Sequence, residues 1–442
     1  MELSRLGLSW GITTLRGHFL MNCNAPLPNR RILRLHAENA AFVAAQLRLG
    51  LDGPNFRLVE IFDLESRLAG NLDALVMGRE AGVELALETL AIAAEYGEVF
   101  TAFHLLLHAR ADLSLADLAP PEVLLWDQVA ALGAAAAWCA PALMAARMRD
   151  WIAGRDPMAA WIALEVCAQR RIDPKGHLGP LLAHRDPRVA ARAMRLAGEL
   201  GRVDLAPDLA RRADGGDPDL RFWAAWAAAL LGDRRSAPVI LSQHVTPVTP
   251  APQARMVAEL MPLVLDDRSA RAAIARLMSD RLTERWGVVA TGALGAADTL
   301  DWLLRQMAEP VLSRIAGAAF CRITGARLSA ESLELAEFPD DPDDPVVAAC
   351  PMESFIEAKL YWPDPDKLSR WLAPNRARFV AGTRSLLGVA AWTIQPPVEV
   401  VATYQLDQRA VALELATRTP DAALPNWRGA VVPQPRGFTR RW

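Results

Sequence analysis

The sequence predicts an all-α fold, an α-solenoid built from repeated helical hairpins, and three observations support that prediction. An aspartate followed by proline recurs at about the same interval, at Asp156, Asp186 and Asp217. Small and apolar side chains follow each pair at spacings of three and four, which places them on one face of a helix. Leu-Gly pairs end in Gly201 and Gly232, where a chain that leaves a helix favours glycine.

Each feature of the repeated unit has a mechanical reason. The aspartate accepts hydrogen bonds from free amides of the first helical turn, and proline fits the next position because its missing N–H has no helical partner there. A second, shorter helix starts near Pro207 in one copy and near Pro238 in the next. Because a single helical pair cannot bury its own apolar face, a period near 30 residues predicts units that stack on their neighbours.

The remaining segments divide the chain in order. Residues 30–152 carry amphipathic stripes and are interpreted as helical pairs that cap the first true repeat, and residues 153–327 hold the repeats. Residues 328–345 are rich in acidic residues and proline, which indicates a surface linker. Residues 346–442 are expected to form a small C-terminal helical module. Residues 1–29 are expected to be poorly ordered or wrongly assigned, with Met21 an alternative start.

The composition excludes several classes of protein. Of 442 residues, 52% are hydrophobic and 22% charged, and no apolar run reaches the roughly 18 residues of a membrane span. The net charge of −3 disfavours a protein that grips a phosphate backbone, so nucleic acid is not the expected partner. The five cysteines lie far apart without a C-x-x-C pair, so we expect a reducing cytoplasm and no metal or other cofactor.

Recurring arginines and paired aromatic residues are the candidate binding residues. Arginines near the turns and second helices of successive units form a strip if the units stack, although a solvated face with internal aspartate partners is the stronger interpretation. Two tryptophans three positions apart offer a stacking platform, although packing between repeats explains them better. The candidate partner-binding residues are Arg171, Arg211, Arg212, Arg234, Arg235, Trp223 and Trp226.

A pair of histidines is a candidate metal site. His104 and His108 are four positions apart and share one face of a helix, but the glutamate pattern of a metalloprotease helix is not found beside them. Partly buried structural histidines are therefore the favoured interpretation.

The repeated unit resembles the short HEAT-like repeats first noted in phycobilisome lyase-like proteins. Further motifs make the chain similar to an uncharacterised family of Gram-negative bacterial HEAT-repeat proteins, often encoded near genes for type VI secretion spike proteins and their effectors. The resemblance implies an accessory role in that system, and it supplies no established active site. The motifs that carry it are His36–Phe42, Leu64–Leu68, Asn71–Asp73, Ala319–Gly325, Trp362–Lys367, Asn375-Arg376, Gly382–Arg384 and Leu387-Gly388.

The first functional hypothesis is a non-enzymatic scaffold or adaptor that binds a protein, namely a secretion-spike or effector protein. The alternative is an enzyme, a HEAT-fold DNA glycosylase of the alkylpurine type, against which the net charge and the scarcity of lysine weigh. A third hypothesis, a chaperone for a bilin or another pigment, has only repeat-level analogy, and a shared fold does not transfer function.

Overall fold

The computed structural model describes residues 29–109, 126–396 and 404–429. This part of the chain is all-α, with one hairpin of two-residue strands. It forms two compact units. Unit 1 comprises residues up to Arg48 together with Val59–Arg192, and unit 2 comprises Leu49–Leu58 together with Ala193–Trp427. The expectations for residues 1–28 lie outside the described residues.

Helices that are neighbours in the described sequence of unit 1 pack on one another. In this unit α4 contacts α3 and α5, and α7 contacts α5 and α6, so helices adjacent in the chain pack on each other. The helices are α1 (Arg30–Gly50), α2 (Leu58–Met77), α3 (Arg79–Ile92), α4 (Tyr96–Ala109), α5 (Trp126–Trp138), α6 (Pro141–Ala153), α7 (Pro157–Arg170), α8 (Leu178–Leu181) and α9 (Pro187–Glu199), the last of which ends in unit 2.

Unit 2 contains the later repeats and the C-terminal elements. Its helices are α10 (Ala206–Ala213), α11 (Pro218–Leu230), α12 (Ser236–His244), α13 (Ala251–Val264), α14 (Asp267–Leu277), α15 (Glu284–Leu294), α16 (Leu300–Gln306), α17 (Pro310–Thr324), α18 (Pro345–Ala348), α19 (Pro351–Lys359), α20 (Pro365–Asn375) and α21 (Gln405–Arg418). Strands β1 (Ser385–Leu386) and β2 (Val389–Ala390) pair antiparallel between α20 and α21.

The predicted starts and ends of the repeated helices are confirmed. Helices α7, α9 and α11 each begin at the proline that follows the expected aspartate. The carboxylate of Asp156 accepts hydrogen bonds from the amides of Met158 and Ala159, and that of Asp217 accepts one from Leu220. Gly201 and Gly232 have φ of 66° and 98°. These values lie in the left-handed region that glycine adopts without strain, so the turn chemistry matches the sequence pattern.

The first helices of successive pairs stack in chain order within unit 2. Helix α15 packs between α13 and α17, while α14 and α16 cover the second side of each pair. The backbones approach closely where small residues face each other: a Cβ on Gly292 would lie 2.9 Å from the Cβ of Ala319. Phe320 of α17 and Leu300 of α16 belong to a buried apolar cluster that also includes Leu368 of α20. Each pair thus gains its interior from its neighbours.

The C-terminal residues belong to the same compact unit as the later repeats. Helix α20 starts as expected after Asp364, whose carboxylate accepts hydrogen bonds from the amides of Asp366 and Lys367 at 3.0 Å. Residues 328–427 cluster with α10–α17, and the division between the two units falls after Arg192. Leu368 and Leu372 contribute to this association, since both are buried against the repeat core.

The glycines that end the repeat helices also serve as contact points for the C-terminal segment. A Cβ on Gly201 would lie 2.6 Å from the carbonyl oxygen of Ala422, and one on Gly325 would lie 2.6 Å from that of Leu387. The β1–β2 turn donates two backbone hydrogen bonds, from Leu387 to the Arg322 carbonyl at 2.7 Å and from Gly388 to the Ile323 carbonyl at 3.0 Å. The hairpin therefore caps carbonyls at the end of α17 that have no helical partner.

Among the helices of the three described ranges, none combines the length and the apolar character that a bilayer crossing requires.

Candidate functional site

A regular series of buried arginines runs through the first helices of unit 2. Arg255 on α13, Arg285 on α15 and Arg314 on α17 are 6%, 1% and 6% exposed. They follow one another at nearly the repeat period, so the stacking of these helices brings them into one row. We call these three residues the arginine series. A buried guanidinium is costly unless an anion pairs with it, so the series requires acidic partners.

The partners come from a segment that the sequence placed in a surface linker and in the start of the C-terminal module. We call residues 341–357 the acidic segment. The guanidinium of Arg255 donates to both carboxylate oxygens of Glu353, with an Nε to Oε1 distance of 2.8 Å. The guanidinium of Arg285 donates to Glu357 Oε2 at 2.6 Å and lies 3.3 Å from Asp344 Oδ2.

The third member of the series binds both ends of the acidic segment. The guanidinium of Arg314 donates to the carboxylate of Asp341 and, at 2.9 Å, to the backbone carbonyl of Glu357. Although most of residues 331–345 are exposed, as the sequence predicts for a linker, Asp344 is buried. The acidic segment is therefore anchored by its side chains on the repeat helices of unit 2, while most of the residues that precede Asp344 are exposed.

Aromatic rings complete the walls around the arginine series. The guanidinium carbons of Arg255 and Arg285 lie 5.6 and 5.8 Å from the ring centroid of Trp286, and that of Arg314 lies 4.2 Å from the ring centroid of Trp362. Both tryptophans are buried. A cation over an indole face is stabilised by the ring quadrupole, and more so where water is excluded. The two rings therefore stabilise the buried guanidinium charges in addition to the ion pairs.

The charge balance is reflected in the pKa values. Burial alone would raise the pKa of Glu353, but the Arg255 guanidinium, through its charge and its hydrogen bonds, lowers that pKa below its ordinary value. Burial disfavours the charge on Arg255, yet the Glu353 carboxylate raises the pKa of that guanidinium. Both shifts favour the ionised pair. The pair is therefore a salt bridge at neutral pH, held in a region closed to solvent.

A second row of ion pairs joins α21 to the repeats. Arg409 of α21 lies 2.7 Å from Glu259 Oε2 on α13, and Glu259 Oε1 is 3.9 Å from Arg255. Arg384, just before β1, donates to Glu414 of α21 at 2.8 Å. Ion pairs therefore connect the acidic segment, the arginine series and α21.

A cavity of about 80 Å³ adjoins the arginine series at Arg314. Arg327 lines it, donates to Asp407 at 2.8 Å and stacks over the ring of Tyr404 at 4.9 Å. Burial raises the pKa of Asp407 against the opposing effect of Arg327. Burial also raises the pKa of the Cys321 thiol to about 12, so this thiol stays protonated at neutral pH. The cavity can accept a small polar group, but its thiol is not poised as a nucleophile.

The arginines of the predicted basic strip are divided between the two units, and some of them bind groups of the same chain. The Arg171 side chain donates to the Ala168 carbonyl in unit 1. In unit 2, Arg234 donates to the carbonyls of Ala229 and Thr417 and so ties α11 to α21. Arg211 is 70% exposed and pairs with Asp208 on the same helix. Arg212 is half-buried on α10, and Arg235 is exposed at the start of α12.

The two predicted tryptophans have different environments. Trp226 is 3% exposed and lies in the interior of α11, as expected for packing. Trp223 is partly exposed, and the Arg195 guanidinium lies 5.1 Å from its ring centroid. The two indoles meet edge to face at 6.0 Å. Only Trp223 therefore presents part of a ring to solvent.

The arginine series is the feature that sequence reasoning missed. Its signal was present, because Arg255, Arg285 and Arg314 recur at 30 and then 29 positions.

Comparisons with protein-family models, with curated proteins and with solved structures found no match for this chain.

Proposed function

We propose that the chain is a non-enzymatic scaffold that binds an acidic region of a protein partner. The observation that carries this proposal is the arginine series, in which buried arginines on stacked helices hold a proline-rich acidic segment through ion pairs with Glu353, Glu357 and Asp341. A repeat surface that binds its own acidic segment in this way has the chemistry needed to bind another. Paired guanidinium and carboxylate groups combine strength with geometric selectivity.

The proposed contact surface comprises Arg211, Arg212, Arg235 and Trp223 of unit 2. Arg211 is mostly exposed, and its ion pair with Asp208 is of the surface type, which contributes at most about 1 kcal/mol. A partner carboxylate can replace Asp208 at little cost. Arg234 is left out of the surface because its guanidinium already holds two backbone carbonyls.

The resemblance to HEAT-repeat proteins encoded near type VI secretion genes supports a spike or effector protein as the partner. Arginine and tryptophan are the side chains that contribute most often to the energetic centre of protein interfaces. An acidic face on a spike or effector protein would therefore be the complementary surface.

Co-expression with the spike and effector proteins encoded nearby tests the proposal. We expect the wild-type chain to capture one of these proteins. A variant with Arg211→Glu, Arg212→Glu and Arg235→Glu should lose at least about 100-fold in affinity, since like charges would then face the acidic partner. Titration of the purified pair, followed by calorimetry at fixed salt, measures the change.

A matched variant separates this surface from a general charge effect. Arg268, Arg276 and Arg281 are exposed arginines elsewhere in unit 2, and their replacement by glutamate changes the net charge by the same amount. We expect this control to bind the partner within about threefold of wild type. Equal affinity of the two variants would contradict the surface assignment, and a wild-type chain that captures none of these proteins would contradict the proposed partner class.

A further inference from the structure

Three side chains with metal-ligating atoms converge in unit 1, remote in sequence from the arginine series. His104 and His108 lie one turn apart on α4, and Cys139 follows the end of α5, which packs on α4. One ligand atom from each of the three residues lies within 4.8 Å of the other two. The sequence showed only the histidine pair, because the thiol joins them through the packing of the two helices.

The distance between two of the ligand atoms matches a tetrahedral metal site. Cys139 Sγ is 3.6 Å from His104 Nδ1. Zinc bonds of about 2.3 Å to sulfur and about 2.0 Å to nitrogen, at a tetrahedral angle, place those atoms about 3.5 Å apart. The rings of His104 and His108 have centroids 4.7 Å apart, and a ring nitrogen of the exposed His108 lies within 4.8 Å of the ligand atoms of His104 and Cys139.

The three side chains meet in a poorly solvated part of unit 1. His104 and Cys139 are buried, and the Cys139 thiol donates a hydrogen bond to the Ala135 carbonyl at 3.4 Å. Because the thiolate is the form of cysteine that binds a metal, a bound ion must displace the thiol proton, which leaves as one proton per ion.

Neighbouring residues contact one of the rings and the backbone that carries the other two side chains. The ring of Phe100 stacks on that of His104 at 6.3 Å with 8° between the planes. Arg170 donates to the backbone carbonyl of Cys139 at 2.7 Å. Arg147 donates to the backbone carbonyl of Leu107, the residue before His108, at 3.0 Å.

We propose that His104, His108 and Cys139 form a zinc site with its fourth position open to solvent. His104 and Cys139 are buried, whereas His108 is exposed, so access is from the His108 side. Two nitrogens and one thiolate are a donor set that suits Zn²⁺ and resembles three-ligand sites in which the fourth position holds water or an incoming group. The ion would tie the end of α5 to α4.

Metal titration of the full-length chain tests this site. We expect the metal-free protein to bind one equivalent of Zn²⁺ and to release about one proton, measured by calorimetry in buffers of different ionisation enthalpy. Co²⁺ in place of Zn²⁺ should give a sulfur-to-metal charge-transfer band. His108→Ala and Cys139→Ala should each weaken Zn²⁺ binding by more than about 100-fold, since loss of an outer contact alone costs 10- to 100-fold.

Matched variants distinguish this site from adventitious thiol or imidazole binding. Cys167 is a buried thiol on α7 whose pKa is also raised to about 12, and His177 is exposed. Cys167→Ala, His177→Ala and Cys23→Ala should leave the stoichiometry and the cobalt band unchanged. His108→Ala removes an exposed ring, so its circular dichroism should match wild type. Absence of zinc binding by the folded wild type, or unchanged binding by His108→Ala and Cys139→Ala, would overturn the proposal.

Discussion

Replacing Glu353 by alanine should lower the free energy of unfolding of unit 2 by about 3–5 kcal/mol. The reason is the partner left behind, because Arg255 is 6% exposed and the Glu353 carboxylate provides its two shortest contacts. Without that carboxylate a buried guanidinium keeps its charge and loses its nearest counterion, because Glu259 lies farther away, at 3.9 Å. Denaturant titration, followed by the fluorescence of tryptophan and by circular dichroism, measures the loss.

Two further variants identify the cause of that loss. Asp298→Ala removes a carboxylate that is 59% exposed and pairs with Arg271, so it should cost less than about 1 kcal/mol. The double variant Arg255→Met with Glu353→Leu removes both charges and should recover most of the stability that Glu353→Ala loses. A small effect of Glu353→Ala, similar to that of Asp298→Ala, would contradict the buried ion pair.

The ion pair between Arg255 and Glu353 makes the stability of unit 2 depend on pH. The pKa of Glu353 is lower in the folded chain than its ordinary value of 4.5. Its contribution to stability is therefore fully present above pH 4.5 and is lost as the pH falls from there through the folded pKa. The Glu353→Leu, Arg255→Met double variant should lack this part of the acid sensitivity.

Gly325→Ala should destabilise unit 2 by about 3 kcal/mol, for two separable reasons. The backbone of Gly325 has φ of 73°, which costs an alanine about 1–2 kcal/mol. The new methyl group would also lie 2.6 Å from the Leu387 carbonyl oxygen, so the hairpin must move away. That movement weakens the two hydrogen bonds by which the hairpin caps α17. Thermal and denaturant unfolding measure the sum.

A second glycine separates the backbone strain from the clash. Gly382 has φ of 79°, and a Cβ there meets no atom within 4 Å. Gly382→Ala should therefore cost only the conformational part, about 1–2 kcal/mol. If both substitutions cost the same, the close approach between the hairpin and the end of α17 would be refuted.

The repeated helices could be predicted from sequence because their determinants are local. Asp156 and Asp217 cap helices through amides two or three positions away, and Gly201 and Gly232 adopt the left-handed conformation at the end of a helix. Such contacts lie within one turn of the residue concerned, so composition and spacing are sufficient to locate them.

The position of the acidic segment could not be predicted in the same way. Glu353 meets Arg255 across 98 positions, and the pairing depends on how α13, α15 and α17 stack. Charge and proline content favoured a solvated linker, which describes most of residues 331–345 but not Asp344. The His104, His108 and Cys139 cluster was hidden for the same reason, since its thiol lies just after the next described helix.

Native-state hydrogen exchange of the acidic segment tests most directly whether the C-terminal part is built into the repeat unit. The amide of Ser354 bonds to the Cys350 carbonyl at 3.0 Å, and that of Ala348 to the Asp344 carbonyl at 2.9 Å. If the segment is held by the arginine series, these amides should exchange only when unit 2 unfolds, with the same free energy as amides in the middle of α15. Exchange at the rate of an unstructured peptide, while α15 remains protected, would contradict the account.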